Sequence, residues 1–387
     1  MPHESFIYFD YAATSPLRDG VLDAMMPFLQ NTFGNPSSIH RAGRMAASAI
    51  AKARADIANF FSVNPRNIIF TGCGTEADNQ ALATLAAFGK TRNKDHIIVI
   101  AIDHHAVLEY AHYLEDLGYN VTYLPPRKNG VVSLEDVKAA ITEKTCGISI
   151  MTVNNETGII QPISEIASFV HSQDILMHTD AIQAVGHVDV PPFGKKNQGV
   201  SLLSISAHKF GGPKGVGALI IDDGIDAASI LYGGGQERGM RAGTSDVAGI
   251  VGMAAALKHS ACAFERDYAH IEFLHNYFES EVLKRLPDVY IVGTQAQRSP
   301  VISCVCIPGI INESLVQALD LEGICISAGS ACMSGVVQES HVLSAMDVSP
   351  ELARGAIRIS IGYATTQADI DTLLDVLVEK IHLQKNL

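Results

Sequence analysis

The stretch SISAHKFGGPKGVGALII, Ser204–Ile221, runs from the end of an apolar strand into a lysine and then a glycine–proline turn. Lys209 therefore projects its amine from a tightly shaped loop over the edge of a sheet. Lysines are ordinarily solvated surface residues. Here Ser206 and His208 stand on either side, and the backbone of FGGPKG leaves space for a flat ligand. Surface turn or site: the segments upstream decide.

From about residue 45 onward, strand-like and helical patterns alternate. HIIVIAI (96–102), YNVTYLP (119–125), GISIMTVNN (147–155), DILMHTDA (174–181) and VSLLSISAHK (200–209) read as strands, and a short strand ends SVNPRNIIFTG (62–72). Between them lie the helices TEADNQALATLAAFG (75–89) and HAVLEYAHYLEDLG (105–118), the second stopped by Gly118. SLEDVKAAIT (133–142) opens on a capping box of Ser133 and Asp136, and ISEIASFVHSQ (163–173) follows. Such alternation predicts an α/β fold with a largely parallel sheet covered on both faces. Ligands of an open α/β sheet gather beyond the carboxyl ends of its strands. The unusual residues sit at those places: TGCGTE, IDHHA, VNNETG, HTDAIQ and SAHKFGGPKG.

Near residue 262 the character changes. In YAHIEFLHNYFESEVLKRLP (268–287), Ile271, Leu274, Phe278, Val282 and Leu286 share one helical face, and Pro287 ends the helix. It leads into a second lobe, as 387 residues require, since one hydrophobic core rarely grows that large. Without repeats or polar linkers, the lobes are expected to pack on each other.

Composition narrows the function. With 47% hydrophobic and 18% charged residues the chain is globular. A formal net charge of −13 argues against direct nucleic-acid binding, which needs clustered Lys and Arg. The first residues, MPHESFIYFDYAATSP, do not read as a signal peptide, and runs such as HIIVIAI are too short to cross a bilayer. The expectation is a cytoplasmic protein with no membrane contact. Seven cysteines (73, 146, 262, 304, 306, 325, 332) lack CxxC spacing, so disulfide frameworks and zinc clusters fit poorly. Cys304 and Cys306 alternate as one buried face of a strand.

The site motifs differ in weight. TGCGTE offers backbone N–H groups at a helix start, where an anion sits, although a strand-to-helix turn uses glycine anyway. Asp180 and Gln183 in HTDAIQ either present an acid and an amide to one ligand or cap a helix. His104 and His105 are adjacent and cannot both face one ion from a helix start, so no resident metal is expected. A lysine able to form an imine, with a carboxylate aimed at a ring nitrogen, is the protein's part in pyridoxal phosphate chemistry.

The chain resembles the cysteine desulfurases of the NifS/IscS type, within the fold-type I pyridoxal-phosphate enzymes. The resemblance spreads over most of the length: YFDYAATSPL, FGNPSSIHRAG, TEADN, VNNETGIIQPI, HTDAIQ, SAHKFGGPKGVGAL, RAGT, SAGSACMSG and GAIRISIG. It implies a large domain (15–258) with a mainly parallel seven-stranded sheet sandwiched by helices. A smaller α+β domain (1–14 and 259–387) would carry the catalytic cysteine loop. It also implies roles. Lys209 would carry the cofactor covalently, Asp180 would face the ring nitrogen and Gln183 the phenolic oxygen. Gly74, Thr75, Ser206 and His208 would surround the phosphate, and Thr244 would reach the phosphate of a neighbouring subunit in a homodimer. Asn155 would sit against the ring, and His104 would stack on it and shuttle protons. Arg358, between Ile357 and Ile359, would grip the α-carboxylate of L-cysteine with help from Asn35.

Cys332 sits among small residues in CISAGSACMSGVV (325–337). By the resemblance it attacks the substrate sulfur, becomes a persulfide and releases alanine. A neighbour is needed, because a free thiol is only partly ionised at neutrality. GSACMSG, followed by a long stretch before Arg358, resembles the branch that supplies iron–sulfur cluster assembly and tRNA thiolation. There the same cysteine touches a nascent cluster on a scaffold protein transiently. Three departures stand out: Asp103 where glutamate is common, Gly72–Cys73 where Ser-Gly is frequent, and no longer docking tail after VEKIHLQKNL. A selenocysteine lyase or other β-eliminating enzyme, and a non-catalytic assembly scaffold, are the alternatives at this stage.

Overall fold

Alternate residues of short apolar strands point to opposite faces of a sheet, and here both faces are covered. The computed structural model describes residues 6–194, 196, 198–328 and 339–385. Chain order begins with β1 (Ile7–Tyr8), α1 (Val21–Gln30) and α2 (Arg41–Phe60). The alternating region follows: β2 (Ile68–Thr71), α3 (Gly74–Lys90), β3 (His96–Ile100), α4 (His105–Asp116), β4 (Asn120–Leu124) and α5 (Leu134–Ala140). It continues through β5 (Thr145–Ser149), α6 (Ile163–His171), β6 (Leu176–Asp180), β7 (Leu202–Ser206) and β8 (Gly217–Ile221).

These strands form one seven-stranded sheet in the order β2-β8-β7-β6-β5-β3-β4. The pairs from β4 through β7 are parallel, whereas β8 runs antiparallel to β7 and β2. Ile98, Ile148 and Leu203 enter one core cluster, while Ile97, Val99 and Leu202 enter the cluster under α3 and α4. The capping box of α5 is present, with Ser133 Oγ accepting from the Asp136 N–H at 3.2 Å. Because β7 and β8 are antiparallel, the turn bearing Lys209 is a tight reversal rather than a crossover. Gly211 sits in that reversal at φ +88°, where a Cβ would be strained and would meet the Arg18 side chain.

After β8 the chain enters α7 (Val247–Arg285), a continuous 39-residue helix. The sequence change expected near residue 262 therefore falls inside a helix, not at its start. Ile250, Met253 and Leu257 of α7 belong to the first core, and Leu274, Phe278 and Val282 to the second. One rigid rod of about 58 Å, at 1.5 Å per residue, thus joins the lobes. By length and composition alone this helix could also cross a membrane, unlike the shorter runs considered above; half of its most apolar 18-residue window is buried inside the protein.

The second lobe contains β9 (Tyr290–Ile291), β10 (Ile302–Cys306), α8 (Asn312–Asp320), β11 (Ile324–Cys325), α9 (His341–Ala345), α10 (Pro350–Ala353), β12 (Ala356–Ser360) and α11 (Gln367–Lys385). Strands β12-β10-β9 form an antiparallel sheet, and β1 pairs in parallel with β11, which ties the first residues to this lobe. Cys304 and Cys306 are both buried, as their alternation predicts.

Candidate active site

Residues Thr71, Gly217 and Ser206 are aligned across β2, β8 and β7, so the turns leaving β2 and β7 and the turn entering β8 open at one end of the sheet. A cavity of about 380 Å³ lies there. Gly74, Thr75, His104, Asn155, Asp180, Gln183, Ser206, His208, Lys209 and Arg358 all line it. Ten residues singled out in the sequence thus meet in one space, although up to 284 positions separate Gly74 from Arg358.

Lys209 is fixed from two sides. Its Nζ donates to the carbonyls of Ala12 and Ala13, residues of the YFDYAATSPL segment. Its own carbonyl accepts from His187 Nε2 at 2.9 Å. His187 is buried, and burial first, then the opposing and reinforcing charges around it, leave its pKa down at about 4. It is a neutral donor that braces the lysine's backbone, and nothing in the sequence singled it out.

Asp180 ends β6 and is buried, with Oδ1 accepting from the Ile182 N–H at 2.8 Å. Burial pushes its carboxyl up to about 6, against the pull of that N–H and of the Lys209 charge. The bland reading of a helix cap is therefore partly right: the side chain does organise the turn. Gln183 donates through Nε2 to the Ala12 carbonyl at 2.8 Å, so it shares an anchor with Lys209. Below Asp180 lies Asp78 of α3, fully buried, with its Oδ1 3.6 Å from His178 Nε2. Neither Asp78 oxygen has a hydrogen-bond partner among the described residues. Burial, and then the neighbouring Asp180, hold its pKa well above the carboxylate range. Asp78 was missed because a polar residue on a helix looks solvated.

The raised pKa of Asp180 makes a stability prediction. Between its ordinary value of 3.8 and about 6 the folded state holds the extra proton. Stability is therefore intact below the lower value, falls as pH rises through the upper one, and stays reduced above it. Asp180→Asn in the cofactor-free protein should raise stability at neutral pH by roughly 2–3 kcal/mol. It should leave stability at pH 3 nearly unchanged and weaken cofactor retention. Urea melts at the two pH values check this; equal effects at both would refute it.

At the opposite wall Gly74 opens α3, a helix of 17 residues, and an added Cβ there would come within 2.2 Å of Ile182 and 3.3 Å of Ser206. Among the described residues Ser206 Oγ has no hydrogen-bond partner, although it is buried. His208 meets Thr14 Oγ1 at 3.2 Å, and burial followed by the Lys209 charge lowers its pKa to about 4. Cys73 precedes α3 as its cap residue and lines the same cavity.

Arg358 of β12 reaches in from the second lobe. Nη2 donates to Asp10 Oδ1 at 2.8 Å and Nη1 to the Asn155 carbonyl at 2.9 Å, while Nε is buried without a partner among the described residues. Asp10 lies 348 residues away and was not recognised as its clamp. The loop that offers Asn155 is built by its neighbour: Asn154 Oδ1 accepts from the N–H groups of Glu156 and Thr157, and its Nδ2 donates to the Ile102 carbonyl. Asp103 plays a parallel part. Its carboxylate accepts from the N–H groups of Met151 and Ile100, which locks the ends of β3 and β5 beneath His104. Burial drives its pKa well above the usual range. A shorter aspartate in place of glutamate is thus a brace between strands.

Three expected residues are not brought together here. Asn35 is exposed outside the cavity, with Oδ1 accepting from the Ser37 N–H at 2.9 Å. Asn35 therefore does not line the cavity of its own chain. Thr244 is also exposed and outside the cavity. Cys332 lies outside the described residues. Among the described residues no group of three or more His, Cys, Asp or Glu could hold a metal ion.

The donor set fits pyridoxal phosphate. An unpartnered hydroxyl and helix-start N–H groups suit a phosphate, a buried carboxyl suits a ring nitrogen, and an amine lies within the same space. Fold and cavity together define a pyridoxal-phosphate-dependent enzyme. Residues 7–373 match the class-V aminotransferase family. A cysteine desulfurase IscS from Dictyoglomus turgidum is 46% identical over 97% of this chain and 95% of its own. Another, from Methanosarcina thermophila, is 41% identical over 98% and 93%. A solved NifS-like protein superposes with TM-score 0.90 at 36% identity, covering 98% of this chain and all of that one. The chain belongs to the class-V aminotransferase family, in its group of NifS/IscS-type cysteine desulfurases.

Proposed function

We propose that the chain converts L-cysteine to L-alanine and passes the sulfur, as a persulfide on Cys332, to an acceptor protein. The observation that carries this reading is the meeting of Lys209, Asp180 and Arg358, from three distant segments, around one cavity. When bound, the cofactor supplies an electron sink that loosens bonds at the α- and β-carbons of the amino acid. The residues do the rest. Lys209 anchors the cofactor covalently and moves the α-proton at Nζ. Asp180 receives the ring-nitrogen cation, which removes the cost of its own buried charge. Gln183 holds the phenolic oxygen, and Gly74, Thr75, Ser206 and His208 hold the phosphate. Asn155 orients the amino acid. Arg358, pre-aimed by Asp10, grips its carboxylate through charge-assisted hydrogen bonds. His104 would face the ring as a neutral imidazole: burial first, then Lys209, lowers its pKa to about 4. Cys332 takes the sulfur.

A homodimer completes the site in this reading. Phe33 (81% exposed) and Ile39 (91%) flank Asn35, and Tyr232 (88%) precedes the segment of Thr244. Large apolar side chains bare on the very segments that miss their own cavity support pairing with a second copy. The large domain is assigned to 15–258 and the small one to 1–14 with 259–387; the β1–β11 pairing supports the first residues' place, and α7 spans the junction. Cytoplasmic location and delivery to iron–sulfur assembly or tRNA thiolation rest on the likeness to the IscS relatives. The test is purified holoenzyme with L-cysteine and a thiol reductant, with alanine and sulfide quantified. Equal yields are expected; sulfide accompanied by pyruvate instead of alanine would reject the reading.

A further inference from the structure

Strand β2 is an edge of the seven-stranded sheet, so among the described residues one side of it has no neighbouring strand. Charged side chains take that place. Arg54 Nη1 donates to the Ile68 carbonyl at 2.6 Å, and Glu237 Oε2 accepts from the Phe70 N–H at 3.1 Å. Arg54 and Glu237 are themselves joined by two hydrogen bonds, of 2.8 and 2.6 Å. The next N–H along this edge, that of Gly72, donates to Glu76 Oε2 at 2.7 Å. Arg241 grips the same carboxylate, with Nε at 2.7 Å and Nη2 at 3.1 Å. The segment that offers Arg241 is tightly held. Glu237 and Arg238 both sit in the left-handed region, at φ 45° and 59°, a conformation that such residues keep only where their surroundings impose it.

The Glu76–Arg241 pair stands in an unusual place. Glu76 lies in the first turn of α3, directly after Gly74 and Thr75, which line the cavity. The buried Ser206 hydroxyl, unpartnered among the described residues, lines it beside Gly74. A helix start with free N–H groups receives an anion. A bare carboxylate one residue further on would compete for the same dipole and repel a phosphate. Arg241 removes that conflict. It does not line the cavity, and its Nε and Nη2 are committed to Glu76, so it acts through its neighbour.

We propose that Arg241 is a positioning residue for phosphate recognition: by neutralising Glu76 it lets that side chain hold the Gly72 N–H without setting a second anion against the cofactor's phosphate. This rests on the reading above that places the phosphate at the start of α3. The two partners are not equivalent. The harm lies in Glu76 left alone, not in the absence of the pair.

Equilibrium binding to the cofactor-free protein, followed by absorbance, tests it with two compounds: pyridoxal phosphate, and pyridoxal, which has the same aldehyde and ring but no phosphate. Arg241→Met should weaken binding of pyridoxal phosphate by about tenfold or more and leave that of pyridoxal within about twofold. Glu76→Gln, which keeps an oxygen toward the Gly72 N–H, should weaken neither. Combining Glu76→Gln with Arg241→Met should return pyridoxal phosphate binding to within about threefold of wild type, because the orphaned charge is gone. A mere structural brace would behave in the opposite way: either single change would weaken both compounds, and the double variant would recover nothing. That pattern, or an Arg241→Met protein that binds pyridoxal phosphate as wild type does, would overturn the role of Arg241. Wild-type protein that binds pyridoxal as tightly as pyridoxal phosphate would instead overturn the placing of a phosphate at α3.

Discussion

Replacing Lys209 by alanine is expected to lower cysteine turnover by about a hundredfold to ten-thousandfold, the range for removal of a positioned proton carrier. The cofactor should then wash out on dialysis, because its covalent anchor is gone. Two carbonyls, of Ala12 and Ala13, would lose their donor at the same time. Part of any effect could therefore be structural, and Lys209→Arg separates the contributions. Arginine restores a cation and donors toward those carbonyls but remains protonated and forms no imine. Lys209→Arg should recover the melting temperature while staying inactive. Activity returning with arginine would mean that the charge, and not the nucleophilic amine, is what the site needs.

Cys332→Ala should leave cofactor content and cysteine binding intact and cut sulfide formation by at least about a thousandfold, in the manner of a deleted nucleophile. The cavity walls explain the separation. Lys209, Asp180, Gln183 and Arg358 hold their places through bonds to Ala12, Ala13, Asp10, Asn155 and Ile182, none of which involves residue 332. Binding and sulfur capture are thus assigned to different parts of the chain. A Cys332→Ala protein that releases sulfide at the wild-type rate would show the substrate sulfur leaving without the enzyme thiol.

Much of this was readable before any coordinates. The parallel sheet follows from alternating periodicities, and the residues at its strand ends meet because that topology puts all those ends on one side. What escaped has physical reasons. Asp10 and Arg358 pair across 348 residues, and no local pattern encodes such a contact. Asp78 looks solvated until α3 is laid over β6 and β7, where it becomes buried beside His178. The start of α7 was misjudged because VAGIVGMAAALKHS is buried on several faces and shows no single apolar stripe. Asn35 was carried over from the resemblance, and the single chain leaves it at the surface.

The central claim is that one enzyme thiol accepts the sulfur of one cysteine per active site. The direct measurement is a single turnover of the cofactor-loaded enzyme with cysteine, without reductant or acceptor. The account predicts one alanine per chain and one added sulfur atom on the peptide containing Cys332, located by mass spectrometry. Alanine formed with no sulfur on that peptide, or sulfur carried by Cys73 or another cysteine instead, would contradict it.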